Sequence, residues 1–181
     1  MYFVFCFFVI LLFLFVFITY NILIKYDNRV KDAFSVVDVY LKKRWELIPN
    51  LVNVTKGYAD YENTTLREVT CMRGSKYDEM SSEDKLKADE CLSREFSKIM
   101  ILSEDYPKLK ANDSFNDLSA KLTKLEDEIA NARKYYNGTI REYNNVVQMF
   151  PSNIVASIFG YKPRKMFVIN EKERQNTSFE F

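Results

Sequence analysis

Residues 1–24 read MYFVFCFFVILLFLFVFITYNILI and contain no charged side chain. The first 18 are all apolar, and seven of them are phenylalanine. A helix of 24 residues is about 36 Å long, which is enough to cross a hydrocarbon core of about 30 Å. The segment therefore predicts a transmembrane anchor, and the rest of the chain is expected to work beside a lipid bilayer.

The anchor is expected to be retained and to have one orientation. A cleaved signal peptide has a basic start, a shorter apolar core and a small-residue cleavage site, and residues 1–24 have none of these. No Lys or Arg precedes the span, and six follow it within 20 residues: Lys25, Arg29, Lys31, Lys42, Lys43 and Arg44. Because positive charges stay inside, we expect a single-pass protein of the cell membrane with its N-terminus outside and its C-terminal domain in the cytoplasm.

Residues 25–181 carry all 26 basic and all 25 acidic side chains, so their charge is nearly balanced. Proteins that bind nucleic acid usually carry a strongly basic surface, and no nucleic-acid partner is expected here. The length of this region predicts one domain. The three cysteines, Cys6, Cys71 and Cys91, are odd in number and have no paired spacing, which predicts no disulfide framework.

Apolar residues recur every three or four positions from residue 25 to about residue 73, and the phase is the same on both sides of Pro49. This pattern predicts one long, kinked helix that continues from the anchor. Gly74 and the residues after it predict a turn. Ser81 and Asp84 form a capping box for a second helix, which should end near residue 104 because Tyr106 precedes a proline.

The third predicted helix has the clearest period in the chain. Apolar residues alternate in steps of three and four over five heptads between Phe115 and Phe150, a pattern typical of coiled-coil packing. Ser152 can cap a short fourth helix that ends at Phe159, with Gly160 closing it. Residues 161–181 have no period and are interpreted as an extended C-terminal tail.

The predicted fold class is all-α, because no run of alternating β-branched residues is present. A single N-terminal transmembrane helix, residues 1–24, precedes an antiparallel helical bundle, residues 25–160. The bundle has three long helices plus a short C-terminal helix, in a four-helix arrangement of the up-and-down kind. The tail, residues 161–181, completes the chain.

Four stretches closely resemble the LemA family: residues 39–52 (VYLKKRWELIPNLV), 104–115 (EDYPKLKANDSF), 125–137 (LEDEIANARKYYN) and 141–163 (REYNNVVQMFPSNIVASIFGYKP). They occur in the family's order, and the resemblance covers roughly residues 18–181. It implies a bacterial protein with one N-terminal span and a cytoplasmic antiparallel helical bundle. It implies no particular biochemical activity.

The absence of histidine from the chain removes several classes of enzyme. Ser-His and Cys-His nucleophile pairs, imidazole bases and His-containing zinc sites all require it. The four glycines are isolated and cannot build a phosphate-binding or dinucleotide-binding loop. We therefore assign no catalytic, cofactor-binding or metal-binding residue and favour a non-enzymatic role, while carboxylate chemistry or a carboxylate metal site stays open.

Polar side chains lie at or beside core positions of the first and third predicted helices. They form a candidate seam cluster: Asp38, Arg44, Asn50, Glu126, Arg133, Asn137 and Asn144. If the helices follow an up-down-up order, the first and third run parallel and Arg44 lies roughly opposite Glu126. The cluster then either satisfies itself and fixes the register of the helices, or lines a polar cavity for a small ligand.

Two functions follow from these alternatives. The first is a membrane-anchored interaction or scaffold module with a protein partner at the membrane. The second is a ligand sensor or enzyme that uses a polar pocket in the helix seam.

Overall fold

The computed structural model describes residues 1–58 and 76–167, and every regular element within these ranges is helical. The all-α prediction is therefore confirmed. The elements are α1 (Tyr2–Lys56), a 3₁₀ turn (Tyr77–Glu79), α2 (Ser82–Asp105), α3 (Pro107–Lys110), α4 (Asp113–Gln148) and α5 (Ser152–Ile158).

The first helix, α1, runs from the apolar N-terminal segment straight through Pro49. Ile48 and Leu51 on either side of the proline are both fully buried, so the constant apolar phase was a correct sign of continuity. The helix is long and apolar enough to cross a membrane, and its first 15 residues are exposed. It ends at Lys56, earlier than the predicted residue 73, and the predicted turn at Gly74 lies outside the described residues.

The starts of α2 and α4 are set by polar caps. The Ser81 hydroxyl accepts a hydrogen bond from the Asp84 amide at 3.2 Å, as the capping box predicted. Asn112 does the same for α4, since its Oδ1 accepts from the Phe115 amide at 2.9 Å. Pro107 stands at the first turn of α3, where its missing amide proton is not needed.

Ser152 has a different role from the predicted one. Its hydroxyl donates to the carbonyl oxygens of Val146 and Met149 at 2.6 and 2.9 Å. Serine therefore satisfies the open carbonyls at the end of α4 rather than capping the start of α5. Gly160 follows α5 with a φ of +76°, the left-handed conformation that closes helices at little cost for glycine.

Contacts divide the chain into two compact units, and α1 and α4 contribute to both. The first unit is Met1–Phe34 with Arg133–Phe181, and the second unit is Ser35–Ala132. The core of the first unit is Leu23, Val30, Ile140, Tyr143, Val147, Val155 and Ala156. The second unit buries residues of α1, α2, α3 and α4, among them Leu41, Ile48, Leu51, Leu92, Phe96, Ile99, Leu109, Phe115, Leu122, Leu125 and Ile129.

The helix directions within the second unit differ from the up-down-up expectation. Asp38 and Arg44 of α1 contact Lys85 and Asp89 of α2 in ascending order, so these two helices run parallel. Arg44 of α1 contacts Glu126 of α4, while Tyr58, just after the end of α1, contacts Asn112, just before the start of α4, so α1 and α4 run antiparallel. The prediction of parallel first and third helices was wrong.

The cysteines also need a correction. Cys91 is disulfide-bonded, whereas Cys6 is free and exposed. The prediction of no disulfide framework, which rested on the odd number and unpaired spacing of the cysteines, is therefore wrong at Cys91, and Cys71 lies outside the described residues.

Candidate functional site

The most deeply buried charge in the described residues is Arg44, on the core stripe of α1. Its side chain is 1% exposed, and Nη1 lies 2.5 Å from Asp89 Oδ1 of α2, which is 2% exposed. The same Nη1 donates to the Ser93 hydroxyl at 3.0 Å. Nη2 forms the other ion pair, with Glu126 of α4. One guanidinium thus joins three helices: Nη1 makes charge-assisted hydrogen bonds to α2, and Nη2 forms an ion pair with α4.

These four residues, Arg44, Asp89, Ser93 and Glu126, are called the ion-pair seam below. Ser93 connects the two acids indirectly, because its hydroxyl also donates to Glu126 Oε1 at 3.3 Å. The acids differ in environment: Glu126 is 37% exposed and Asp89 is not. The arrangement fixes how α1, α2 and α4 are aligned, since shifting one helix would leave a charge buried without its partner.

Asp38 belongs to a separate group on the same unit. Its Oδ1 accepts from the Tyr77 hydroxyl at 2.7 Å and its Oδ2 pairs with Lys85 Nζ at 2.9 Å. Lys85 also lies 4.7 Å from the centre of the Tyr77 ring, and Trp45 packs on that ring at 5.6 Å. Burial, and then the bond to Asp38, raises the pKa of the Tyr77 phenol well above its usual value of 10.0.

Asn50, the third candidate on α1, does not join either group. It is exposed, and its Nδ2 donates a long hydrogen bond of 3.4 Å to the carbonyl of Glu46 in its own helix. The candidates of the second unit therefore separate into a buried ion pair, an Asp–Tyr–Lys group and a surface residue.

Asn137 and Asn144 of α4, in the first unit, make the same pair of hydrogen bonds to the backbone of residues near the C-terminus. The Asn144 side chain donates to the carbonyl of Arg164 and accepts from its amide, both at 2.8 Å. Asn137 does the same with Phe167, at 3.1 and 2.8 Å. Each amide side chain thus pairs with a peptide unit in the way that a neighbouring β-strand would.

The spacing of these contacts explains why they fit. Seven helical residues advance about 10.5 Å, and three extended residues advance about 10 Å. Asparagines one heptad apart on a helix therefore match every third residue of an extended chain running in the opposite direction. We call Asn137 and Asn144 the asparagine ladder and the extended residues 161–167 the strap.

Side chains of the strap add their own contacts. Arg164 Nη2 lies 2.5 Å from Asp27 Oδ1, and the Phe167 ring lies 4.8 Å from that of Tyr136. Arg133, the last of the sequence candidates, lies over the Phe167 ring at 5.8 Å. The Tyr143 hydroxyl donates to the Lys162 carbonyl at 3.1 Å, and burial raises the pKa of that phenol.

Sequence reasoning missed several partners of these candidates. Asp89 could have been found, because it lies on the apolar stripe of α2 next to Ala88 and one turn before Leu92, where an acid requires a partner. The strap had no such signal. The asparagine ladder binds backbone groups, which every residue possesses, so no side-chain pattern in residues 161–167 marks them as its partner.

A groove of about 330 Å³ also lies in the second unit. It is lined by Lys43, Glu46, Leu47, Lys121, Lys124, Leu125 and Glu128, and thus by none of the seven seam candidates. Within the part of the chain that the structure describes, no cluster of three or more His, Cys, Asp or Glu side chains could hold a metal ion.

The chain is similar in sequence to several known proteins. Protein LemA of Metamycoplasma hominis is 29% identical over 157 residues, which cover 85% of this chain and 71% of that protein. Magnetosome protein MamQ 2 of Paramagnetospirillum magneticum is 23% identical over 174 residues. Magnetosome protein MamQ of Magnetospirillum gryphiswaldense is equally similar, and the chain spans 64% of the length of each MamQ protein. The LemA family profile matches residues 33–181, most of the chain, and the protein therefore belongs to the LemA family.

Proposed function

We propose that this chain is a single-pass membrane protein that holds a protein partner beside the cytoplasmic face of the cell membrane. The observation that carries the proposal is the strap, which the asparagine ladder holds extended through four backbone hydrogen bonds. Fixing an extended segment costs conformational entropy, so a segment that is already ordered binds a partner more tightly.

The exposed side chains of the strap indicate what kind of partner segment would bind to it. Lys162, Pro163, Lys165 and Met166 are exposed, while the ladder and Asp27 hold the residues between them. An extended partner segment can add beside an ordered strand and use its backbone groups for affinity. The two lysines favour a partner segment with acidic side chains.

The ion-pair seam supports an interaction module over a ligand sensor at the same place. Arg44 and Asp89 are almost completely buried and form an ion pair with each other, so they are packing groups rather than the lining of an open cavity. A rigid second unit is what a docking platform requires.

The proposal can be tested by placing a photo-crosslinking amino acid at Met166 of the full chain in the membranes where it naturally occurs. We expect a discrete crosslinked product that is lost in the double variant Asn137→Ala/Asn144→Ala, because the strap is no longer held. Asn145→Ala, an exposed change on the same helix, is the matched control and should keep the product. No product, or the same product in the ladder variant, would contradict the proposal.

The proposed orientation rests on the six basic residues that follow the apolar segment. The disulfide at Cys91 points the other way, because disulfides persist mainly in oxidising compartments. We follow the charges, since they act on membrane insertion itself. Lys134→Cys, at an exposed site, should resist an impermeant thiol reagent in intact cells and react after lysis. The parent chain gives the background from its own cysteines, and labelling in intact cells would reverse the orientation.

A ligand sensor is the second candidate, and the groove in the second unit favours it. Three lysines and two glutamates line its 330 Å³, a size suited to a small anion. Inorganic pyrophosphate should then raise the unfolding temperature of the parent chain and leave that of Lys43→Ala/Lys124→Ala unchanged. Equal responses of the two proteins would remove this candidate.

A further inference from the structure

A long uncharged stretch ends the helical part of the chain, from Tyr143 to Tyr161. It includes the end of α4, the turn to α5 and all of α5. Part of it is core, since Val155 and Ala156 of α5 are each 1% exposed. Five other large apolar side chains of this region are exposed: Met149 62%, Phe150 79%, Ile154 53%, Ile158 71% and Phe159 49%.

The exposed residues of α5 are arranged in two stripes. Ile154 and Ile158 are four residues apart and lie on one face. Asn153 and Ser157 are also exposed and four apart, so they form a polar stripe beside the apolar one. This is the pattern of a helix that lies in a membrane interface, with one face in lipid and a neighbouring face in water.

The position of α5 against α1 agrees with this pattern. The Phe159 ring packs on Tyr20 at 4.6 Å, Tyr161 packs on the same ring at 6.5 Å, and Leu23 shares a core with Val155 and Ala156. The side chains of α1 up to Ile18 are apolar, and all but the partly buried Val16 are exposed; the first charge of the helix is Lys25. The lipid boundary of a spanning α1 therefore falls between Ile18 and Lys25, which are about 10 Å apart along the helix.

Thr19 and Leu23 lie within that interval and are buried by protein rather than exposed. Val155 and Ala156 of α5 share a core with Leu23, and Phe159 packs on Tyr20, so the apolar face of α5 lies at the level where the hydrocarbon ends. Lys25 and Lys162 flank the region and are exposed, as expected for side chains that reach lipid headgroups.

We propose that α5 and the turn before it form a second membrane contact, in which Met149, Phe150, Ile154, Ile158 and Phe159 enter the lipid interface beside the span. The occupant of this apolar face is the bilayer. An exposed patch of this kind next to a membrane-spanning helix is continuous with the lipid-facing surface of that helix. The contact would fix the first unit relative to the membrane surface as well as tethering it.

The test uses the full chain in vesicles of phosphatidylcholine and phosphatidylglycerol, with or without bromine on the acyl chains, which quenches tryptophan on contact. Trp45, the native tryptophan, is replaced by Phe, and Phe150→Trp is added. We expect brominated lipid to reduce the fluorescence emission of the Phe150→Trp reporter at least twofold. Tyr135→Trp is the matched control: it is 60% exposed on α4 and about 22 Å before Phe150, so its emission should change little.

Phe15→Trp, within the span, should be quenched and shows that the chain is inserted. Ile158→Trp provides an independent reporter if Phe150→Trp folds poorly, and it should behave in the same way. Quenching of both reporters no greater than that of Tyr135→Trp would overturn the proposal. Blue-shifted emission without quenching would also overturn it, because it would place a second copy or another protein on this face.

Discussion

The two units use polar groups in opposite ways. The second unit places full charges in its interior, where Arg44 and Asp89 are 1% and 2% exposed and Glu126 completes the cluster at the edge. The first unit holds the strap mainly with neutral amides, Asn137 and Asn144, and adds one partly exposed ion pair between Arg164 and Asp27. Charges specify particular partners and are costly to leave unpaired, whereas amides bind any backbone of the right shape.

The difference shows what each region is suited to do. An ion-pair seam stabilises one helix alignment against all others, because every shift leaves a buried charge without its partner. An asparagine ladder can hold one extended segment and release it at the cost of a few ordinary hydrogen bonds. The second unit is therefore built for rigidity, and the strap of the first unit is built for exchange.

The largest effect is expected from removing the buried cation. Arg44→Ala leaves Asp89 in the interior without its arginine partner and should lower the free energy of unfolding by about 3–5 kcal/mol. Urea unfolding of the full chain in mild detergent measures this, with Trp45 fluorescence as a reporter of the second unit. Arg29→Ala is the control, because its pair with Glu142 is more than half exposed at both ends and should contribute about 0.5 kcal/mol or less.

The seam also predicts how the loss can be repaired. Changing Arg44 and Glu126 together to apolar residues should recover little, since Asp89 would keep its charge in the interior. A triple change of Arg44, Asp89 and Glu126 to methionine or leucine should recover most of the stability. Full recovery in the double variant would show that Asp89 is not held by Arg44.

A smaller effect is expected in the first unit. Asn144→Ala removes two hydrogen bonds to Arg164 and should weaken the strap by about 2 kcal/mol. Amide hydrogen exchange in the strap should then become roughly 30-fold faster, while exchange in the second unit stays unchanged. Asn145→Ala should leave both at the parent rate. Slow exchange in the strap of Asn144→Ala would show that the ladder does not hold it.

The sequence predicted the elements well because their signals are local. The constant phase around Pro49 identified one continuous helix, and the capping box at Ser81 located the start of α2. Relative direction is not a local property. The antiparallel course of α1 and α4 is set by contacts between residues far apart in the sequence, such as Arg44 and Glu126, and apolar periodicity contains no information on those contacts.

The site was predicted unevenly for a similar reason. Arg44 stood out because a cation on an apolar stripe needs a partner, and the same rule would have identified Asp89. Asn137 and Asn144 stood out as a polar stripe, but their partner is the backbone of the strap. Because these side chains bind backbone groups, the sequence of residues 161–167 does not indicate that the strap is their partner.

The smallest predicted effect is a change in the stability of the second unit with pH. Tyr77 belongs to the second unit, and burial together with its bond to Asp38 raises its pKa above 10.0. The folded protein therefore keeps the phenol protonated at a pH where the unfolded chain releases the proton. The stability that Tyr77 contributes is complete below about pH 10 and is lost as the pH rises further, by at most about 1.4 kcal/mol for each pH unit.

Tyr77→Phe should consequently be about 1 kcal/mol less stable than the parent at pH 8, because the bond from the Tyr77 hydroxyl to Asp38 is gone. Between pH 10 and 11 the parent loses stability through Tyr77 and the variant does not, so the gap should close near pH 11. Urea unfolding of both proteins at pH 8, 10 and 11, followed by Trp45 fluorescence, measures this difference in stability. A gap that stays constant or widens over this interval would mean that the Tyr77 phenol ionises as readily in the folded second unit as in the unfolded chain.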